Sequence, residues 1–159
     1  MPSFAHLRTL VLLPLLTLTL LAGLTLVAPA SDAKGYTRAQ RISKAVKVAL
    51  QQRGDVYRYG AAGPKAFDCS GLMQYSFRRA GISLPRTSAA QASRAHRISR
   101  GQLRRGDLVF FTRGGRVYHA AMFLRWSKRK AVIVHSPGSG KRVRVDRPWT
   151  NSWFAATLR

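Results

Sequence analysis

Hydrophobic residues recur at helical spacing where the chain first reads as a folded domain. Thr37, Arg38, Ala39 and Gln40 have the form of a capping box, and Gly54 follows as a stop signal. The pattern therefore predicts a helix from about Thr37 to Arg53. Its predicted buried face consists of Ile42, Ala45, Val46, Ala49 and Leu50.

A second helical pattern begins at Cys69 and ends at Gly81, with apolar residues at Leu72, Met73, Phe77 and Ala80. Cys69 is the only cysteine of the chain, and this spacing places it in the first turn, on the side that faces the core. The unpaired N–H groups of a helix N-terminus favour a thiolate, which is the nucleophilic form of cysteine. The position of Cys69 in the helix is equally consistent with a small hydrophobic side chain that is buried in the core.

The segments around this helix are expected to be loops, followed by one more short helix. Residues 55–66 are rich in glycine and tyrosine and are predicted to lead into the Cys69 helix. A third helix is predicted from Thr87 or Ser88 to about Ala95, with Ser88 and Gln91 as a second capping box.

From Gly106 onwards the hydrophobic residues form compact runs separated by short basic or glycine-rich turns. Strands are predicted at 108–111, 117–124, 131–135, 142–145 and, less regularly, 151–158. Helices followed by a run of closely spaced strands indicate an α+β fold, in which N-terminal helices pack on an antiparallel sheet.

The first thirty residues have the pattern of a secretory signal peptide. Arg8 precedes an apolar run from Leu10 to Val27, and Ala28-Pro29-Ala30 fits a cleavage site. We therefore expect residues 1–30 to be removed, residues 31–36 to form a flexible lead and residues 37–159 to form one domain. The protein would then be periplasmic or secreted and would keep no membrane span. An uncleaved membrane anchor is the alternative, because the apolar run approaches the length of a membrane helix.

The charge of the chain indicates a polyanionic partner. Without residues 1–30 it keeps 27 of its 28 lysines and arginines and all five aspartates, a formal net charge of +22. Such a basic domain adheres to polyanions. Export favours anionic polymers of the cell envelope over nucleic acid, and the chain lacks the interleaved aromatic and basic stretches typical of nucleic-acid binding. We expect no nucleic-acid partner.

Two histidines interrupt predicted strands, and either one alone is explained by a hydrogen-bonded core histidine. A lone thiol in an exported protein is unusual, since such proteins normally pair their cysteines. Cys69, His119 and His135 together fit a catalytic triad better, with one histidine as the base and the other orienting it. The same three residues could bind zinc, although their spacing is wrong for a structural zinc site. His96 is expected on the surface. If their strands are antiparallel neighbours, the alternation of side chains lets His119 and His135 project to one side of the sheet. We expect the Cys69 helix to pack on that side.

The order of these motifs resembles the NlpC-type cell-wall cysteine peptidases. The motifs are Asp68-Cys69-Ser70-Gly71, Leu84-Pro85-Arg86-Thr87 followed by Gln91, Gly106 to Phe111, and a histidine in each of the next two strands. The resemblance covers about residues 39–145. It implies a compact papain-like domain that hydrolyses peptidoglycan stem peptides, typically between D-γ-glutamate and a diamino acid, without a cofactor or metal.

The resemblance also implies roles for single residues. Cys69 would be the nucleophile, His119 the base and His135 the orienting residue. Tyr59 would lie against the thiol, and Asp68 and Ser70 are candidates for binding the stem peptide. The strand after His119 departs from the family's usual pattern at 120–123. We expect no separate wall-binding domain. The alternative is a non-catalytic basic module that binds the cell envelope.

Overall fold

Three helices lie on one face of an antiparallel sheet in the computed structural model, which describes residues 35–159. The predicted signal peptide and most of the predicted lead lie outside these residues. The helices are α1 (Arg38–Gln51), α2 (Cys69–Arg79) and α3 (Ser88–Arg94). The strands are β1 (Val56–Tyr57), β2 (Ala66–Phe67), β3 (His96–Ile98), β4 (Leu108–Arg113), β5 (Arg116–Ser127), β6 (Lys130–His135), β7 (Arg144–Asp146) and β8 (Trp153–Thr157).

Six strands form the main sheet in the order β3-β8-β4-β5-β6-β7, and all neighbours are antiparallel. The remaining two strands, β1 and β2, pair in parallel within the segment that was predicted to be a loop. The predicted α+β class with N-terminal helices on an antiparallel sheet is confirmed.

Helix α1 forms as the sequence predicts. The Thr37 and Gln40 side chains make the reciprocal hydrogen bonds of a capping box, and four of the five predicted core residues are buried while Leu50 is partly buried. The helix packs closely against the start of β4. A Cβ atom on Gly106 would lie 2.3 Å from Cγ2 of Ile42, so only glycine allows this approach.

The sheet separates two hydrophobic clusters. Alternate residues of β4 and β5, such as Phe110 and Met122, pack on the helices, together with Leu72 of α2. The intervening residues, such as Phe111 and Phe123, form a smaller cluster on the opposite face. Within residues 35–159, no helix combines the length and apolarity needed to cross a bilayer.

Several predicted boundaries need correction. Strand β5 runs on to Ser127, so the turn before β6 is only Lys128 and Arg129, both with positive φ angles of 49° and 62°. Strand β3 was not predicted, because its three residues are mostly polar and exposed. The cap of α3 is Thr87, whose hydroxyl accepts from the Ala90 N–H, and not Ser88.

Candidate active site

Cys69 is the first residue of α2, as predicted, and Asp68 caps the helix. The Asp68 Oδ1 atom accepts hydrogen bonds from the Gly71 N–H at 2.7 Å and from the Ser70 hydroxyl at 3.3 Å. An aspartate at this position satisfies N–H groups that have no partner within the helix. The cap therefore fixes where the helix begins and where the Cys69 side chain points.

The Asp68 carboxylate also gathers the neighbouring segments. It accepts from the Gly60 N–H at 2.9 Å and from both terminal nitrogens of Arg86, and Arg86 donates to the Ser70 hydroxyl at 3.0 Å. Burial would raise the pKa of Asp68, but hydrogen bonds from Arg86 and Gly71 hold it below its usual value. Asp68 and Ser70 are nearly buried, and both line the groove beside the thiol. Their contact with a stem peptide stays a prediction.

Steric crowding explains why the Asp68-Cys69-Ser70-Gly71 motif ends in glycine, which the sequence did not reveal. A Cβ atom on Gly71 would lie 2.1 Å from the carbonyl oxygen of Ala61. That carbonyl accepts from the Asp68 N–H at 2.9 Å. Gly71 therefore lets the backbone of the preceding loop pass directly over the first turn of α2.

The surroundings of the thiol overturn one expectation. Burial raises the pKa of Cys69, the charge of Asp68 raises it further, and the N–H groups of Ala120, Ser70 and Cys69 itself lower it less. The expected depression by the helix N-terminus is thus outweighed by desolvation.

The two predicted catalytic histidines lie in contact. Nε2 of His119 and Nδ1 of His135 are 2.9 Å apart, and both rings are buried. They share one side of the sheet, as their phase predicted. That side faces the Phe111 cluster and not α2, so the predicted packing of the Cys69 helix on the histidine side is wrong.

A β-bulge lies directly before His119. Phe111 pairs with His119 but Thr112 pairs with Val117, which leaves Tyr118 as an extra residue in β5. Bulges re-aim the side chains beside them. The Cys69 sulfur lies against the N–H of Ala120, the residue directly after His119.

Trp149 covers the histidine pair. Its indole stacks on Phe111 at 4.1 Å between ring centroids and lies 5.1 Å from the His119 ring and 5.5 Å from the His135 ring. Burial lowers the pKa of His119 to about 3 and that of His135 to about 4. Both rings are therefore neutral at pH 7. Sequence reasoning missed Trp149, whose only signal was a large aromatic beside Pro148.

Asp146 is a second residue that the sequence did not single out. Its Oδ2 atom lies 3.8 Å from Nε2 of His135, a buried atom that has no hydrogen-bond partner. Arg144 pairs with the same carboxylate at 2.7 Å. Its position in the strand after the second histidine was the available signal.

Tyr57 and Tyr59 both line the groove beside the thiol, and the contact of Tyr59 with the thiol stays a prediction. Tyr59 lines the groove, but its side chain is 88% exposed. Tyr57 is half-buried, and its pKa is raised by burial and by the charges of Cys69 and Asp68. The Tyr57-Arg58-Tyr59 repeat offers two candidates, and sequence alone does not decide between them.

The remaining predictions concern His96 and a metal. His96 is exposed, as expected. Across residues 35–159, no group of three or more His, Cys, Asp or Glu side chains is placed to hold a metal ion, and this includes the three residues considered for zinc. The groove beside the thiol is lined by Tyr57, Tyr59, Gly60, Asp68, Cys69, Ser70, Arg86, Thr87, Ser88, Ala89, Val117 and Tyr118.

Comparison with known proteins gives a consistent result. The family model described as NlpC/P60 family matches residues 54–159. A probable endopeptidase p60 of Listeria monocytogenes is 47% identical over 76 residues, which cover 48% of this chain and 16% of that protein. This chain thus spans less than a fifth of the length of that relative.

Two solved structures share the fold. The NlpC/p60 domain of the peptidoglycan hydrolase SagA aligns with a TM-score of 0.65 at 28% identity, covering 74% of this chain and 98% of that one. RipD of Mycobacterium tuberculosis aligns with a TM-score of 0.62 at 27% identity, covering 78% and 100%. RipD is described as a non-catalytic NlpC/p60 domain protein adapted to peptidoglycan binding.

Proposed function

The chain belongs to the NlpC/P60 family, and we propose that it is an exported cysteine endopeptidase that hydrolyses amide bonds in peptidoglycan stem peptides. The observation that carries the proposal is that the Cys69 thiol lies close to a buried pair of hydrogen-bonded histidines. The thiol stands at a capped helix N-terminus in an open groove, against the N–H of Ala120, and Ala120 directly follows His119 in β5. A nucleophile, a base and a group that orients the base are the parts such chemistry needs.

The proposed reaction starts from a neutral thiol and neutral imidazoles. His119 removes the thiol proton as the Cys69 sulfur attacks the amide carbon. The Cys69 N–H stabilises the oxyanion, with Tyr57 as the candidate second donor, and one such donor contributes about 3–4 kcal/mol in the transition state. The His119 imidazolium then protonates the leaving amine, and water releases the acyl group from the sulfur.

His135 is proposed to hold His119 in one orientation and tautomer. Since Nε2 of His119 faces His135, Nδ1 is the atom left to exchange a proton with the thiol. Asp146 stands behind His135 and would favour a proton on its Nε2 atom. His135 would then accept from His119 through Nδ1.

The scissile bond is proposed to be the one between D-γ-glutamate and a diamino acid, as the family resemblance implies.

The signal-like residues 1–30 and the name of the SagA relative, a peptidoglycan hydrolase, support action outside the cytoplasm. The charge of +22 on residues 31–159 supports retention by anionic envelope polymers. High salt should weaken that retention, because it screens surface charge.

The second candidate function is a non-catalytic module that binds the cell wall. One observation favours it: the solved relative RipD is described as non-catalytic. This chain keeps both the cysteine and the histidine pair, which favours the enzyme.

One digest separates the two functions. The purified protein and its Cys69→Ala variant are incubated with peptidoglycan and with isolated muropeptides under reducing conditions, and the products are identified by mass spectrometry. Products cut after γ-linked glutamate with the parent protein alone would support the enzyme and its bond together. Undigested substrate, with salt-sensitive binding to the wall, would instead favour the module.

A further inference from the structure

The chain's three tryptophans all line one cleft of about 470 Å³ on the sheet face opposite the helices. Trp126 and Trp149 keep 42% and 52% of their surface exposed, although buried tryptophan is the more stable arrangement in an aqueous protein. Trp153 forms the third wall and is covered by the Arg100 guanidinium, 3.8 Å above its ring. Exposed aromatic faces gathered in one hollow mark an interaction site.

The charge around the cleft favours an anionic occupant. Arg129 and Lys130 stand at its edge, and in the described part of the chain no acidic side chain lines it. Arg100 is engaged in the protein, since it donates to the carbonyl oxygens of Asn151 and Trp153, each at 2.6 Å. Arg129, in the β5–β6 turn, and Lys130, the first residue of β6, are therefore the cations offered to a ligand.

The cleft continues towards the proposed active site. A second hollow, beside the β4–β5 turn, shares Trp149 and Thr150 with the tryptophan cleft and shares Tyr118 with the Cys69 groove. The Arg113 guanidinium lies 5.2 Å from the Tyr118 ring centroid in this hollow. One extended molecule could thus lie across all three depressions.

We infer that the tryptophan cleft binds the glycan strand of peptidoglycan while a stem peptide occupies the Cys69 groove. This inference rests on the proposed function for the identity of the polymer. Indole faces suit the apolar faces of sugar rings, and the indole N–H and Asn151 suit their hydroxyls. Arg129 and Lys130 complement the carboxylates of the peptides that hang from the strand.

The test uses tryptophan fluorescence of the full chain carrying Cys69→Ala, so that no substrate is consumed. All three tryptophans line the cleft, so its occupation should change their emission. Trp149 also covers the histidine pair, and the Trp126→Ala variant separates the two sites. Peptide-free glycan chains should change the emission in a saturable way. Trp126→Ala in the same background should weaken binding to purified peptidoglycan about tenfold. Tyr36→Ala removes an aromatic that is 62% exposed near α1, and it should leave binding unchanged.

Two results would overturn the inference. One is an emission that does not respond to glycan chains, together with equal peptidoglycan binding by the parent and the Trp126→Ala variant. The other is a response to a phosphate-rich wall polymer but not to the glycan. Binding in the Cys69→Ala background requires no catalysis, so a failure of the proposed hydrolysis would be seen separately, as a parent protein that binds glycan and releases no products.

Discussion

The two halves of the candidate active site are built in opposite ways. Around Cys69 the structure is polar and saturated with hydrogen bonds, which the Asp68 carboxylate collects from Gly60, Gly71 and Arg86. Around His119 the structure is aromatic and dry, and one buried nitrogen of His135 is left without a partner. The proposed nucleophile, Cys69, is thus held by hydrogen bonds and the proposed base, His119, by packing.

The two halves also differ in how far apart their residues lie in sequence. The Cys69 network uses residues 60–86, most of which adjoin α2. The histidine pocket joins β4, β5 and β6 with Trp149, which follows β7. Substitutions in the Cys69 network should therefore disrupt hydrogen bonds close to α2. Substitutions in the histidine pocket should instead admit water to the His119 ring.

The largest effect should come from removing either member of the reacting pair. Cys69→Ala and His119→Ala should each reduce kcat by at least about a thousandfold, because each removes a group that takes part in bond making or proton transfer. If the two halves act as one unit, the double variant should be no slower than the slower single variant. Rates on muropeptides measure this, and circular dichroism checks the fold.

The next largest effect tests the hydrogen-bonded half through stability. Asp68→Ala removes a helix cap and leaves Arg86 without its carboxylate, and we expect a loss of about 2 kcal/mol. The cost stays moderate because the Arg86 side chain is 36% exposed. Urea unfolding measures it. Asp55→Ala, at an aspartate whose carboxylate makes no such network, is the matched control and should cost under about 0.5 kcal/mol. Equal losses would remove the special role of Asp68.

The packed half is tested through His135. His135→Ala should slow kcat by more than about tenfold, yet less than His119→Ala does, because His135 orients the base and does not itself transfer the proton to substrate. An unchanged rate would show that His135 is not the third residue.

The dryness of the packed half is tested by pH. Because burial lowers the pKa of His119 to about 3, the ring is neutral and competent as a base above that value. The kcat/KM of the parent enzyme should therefore stay level down to about pH 5 and fall only on further acidification. Trp149→Ala admits water, which returns the pKa of His119 towards 6.5 and moves the acid limb upward. An acid limb that does not move would mean that Trp149 does not keep the ring dry.

The smallest effect is expected at Asp146. Its carboxylate is 36% exposed and 3.8 Å from His135, so Asp146→Asn should slow kcat only about two- to threefold. A loss as large as that of His135→Ala would instead make Asp146 a full member of the relay.

The sequence predicted best those features that depend on residues close together in the chain, as around Cys69. The capping box of α1 and the start of α2 at Cys69 depend on residues within one helical turn. The second predicted box failed because Gln91 is recruited elsewhere: its amide nitrogen donates to the carbonyl oxygens of Ser70 at 2.8 Å and Pro85 at 2.9 Å. Such a bond across the fold competes with a local cap and cannot be read from spacing.

In the histidine pocket, the sequence identified both histidines but not how they are arranged in the fold. The two histidines were found because each interrupts an apolar strand. Their face relative to α2 was wrong because β5 is buried and apolar on both faces after His119, so alternation does not show which face the helices cover. The helix N-terminus was expected to favour a Cys69 thiolate, but burial, which depends on the whole fold, raises the pKa of the thiol. Trp149 lies in a loop, where periodicity gives no signal.

The two-residue turn between β5 and β6 has a consequence for engineering. Lys128 and Arg129 both adopt the left-handed conformation that asparagine and glycine adopt most easily. Replacing them with Asn-Gly should raise the melting temperature, since each strained residue costs roughly 1 kcal/mol. The same replacement removes a cation from the edge of the tryptophan cleft. A more heat-resistant variant of this protein should therefore be a poorer binder of wall polymer.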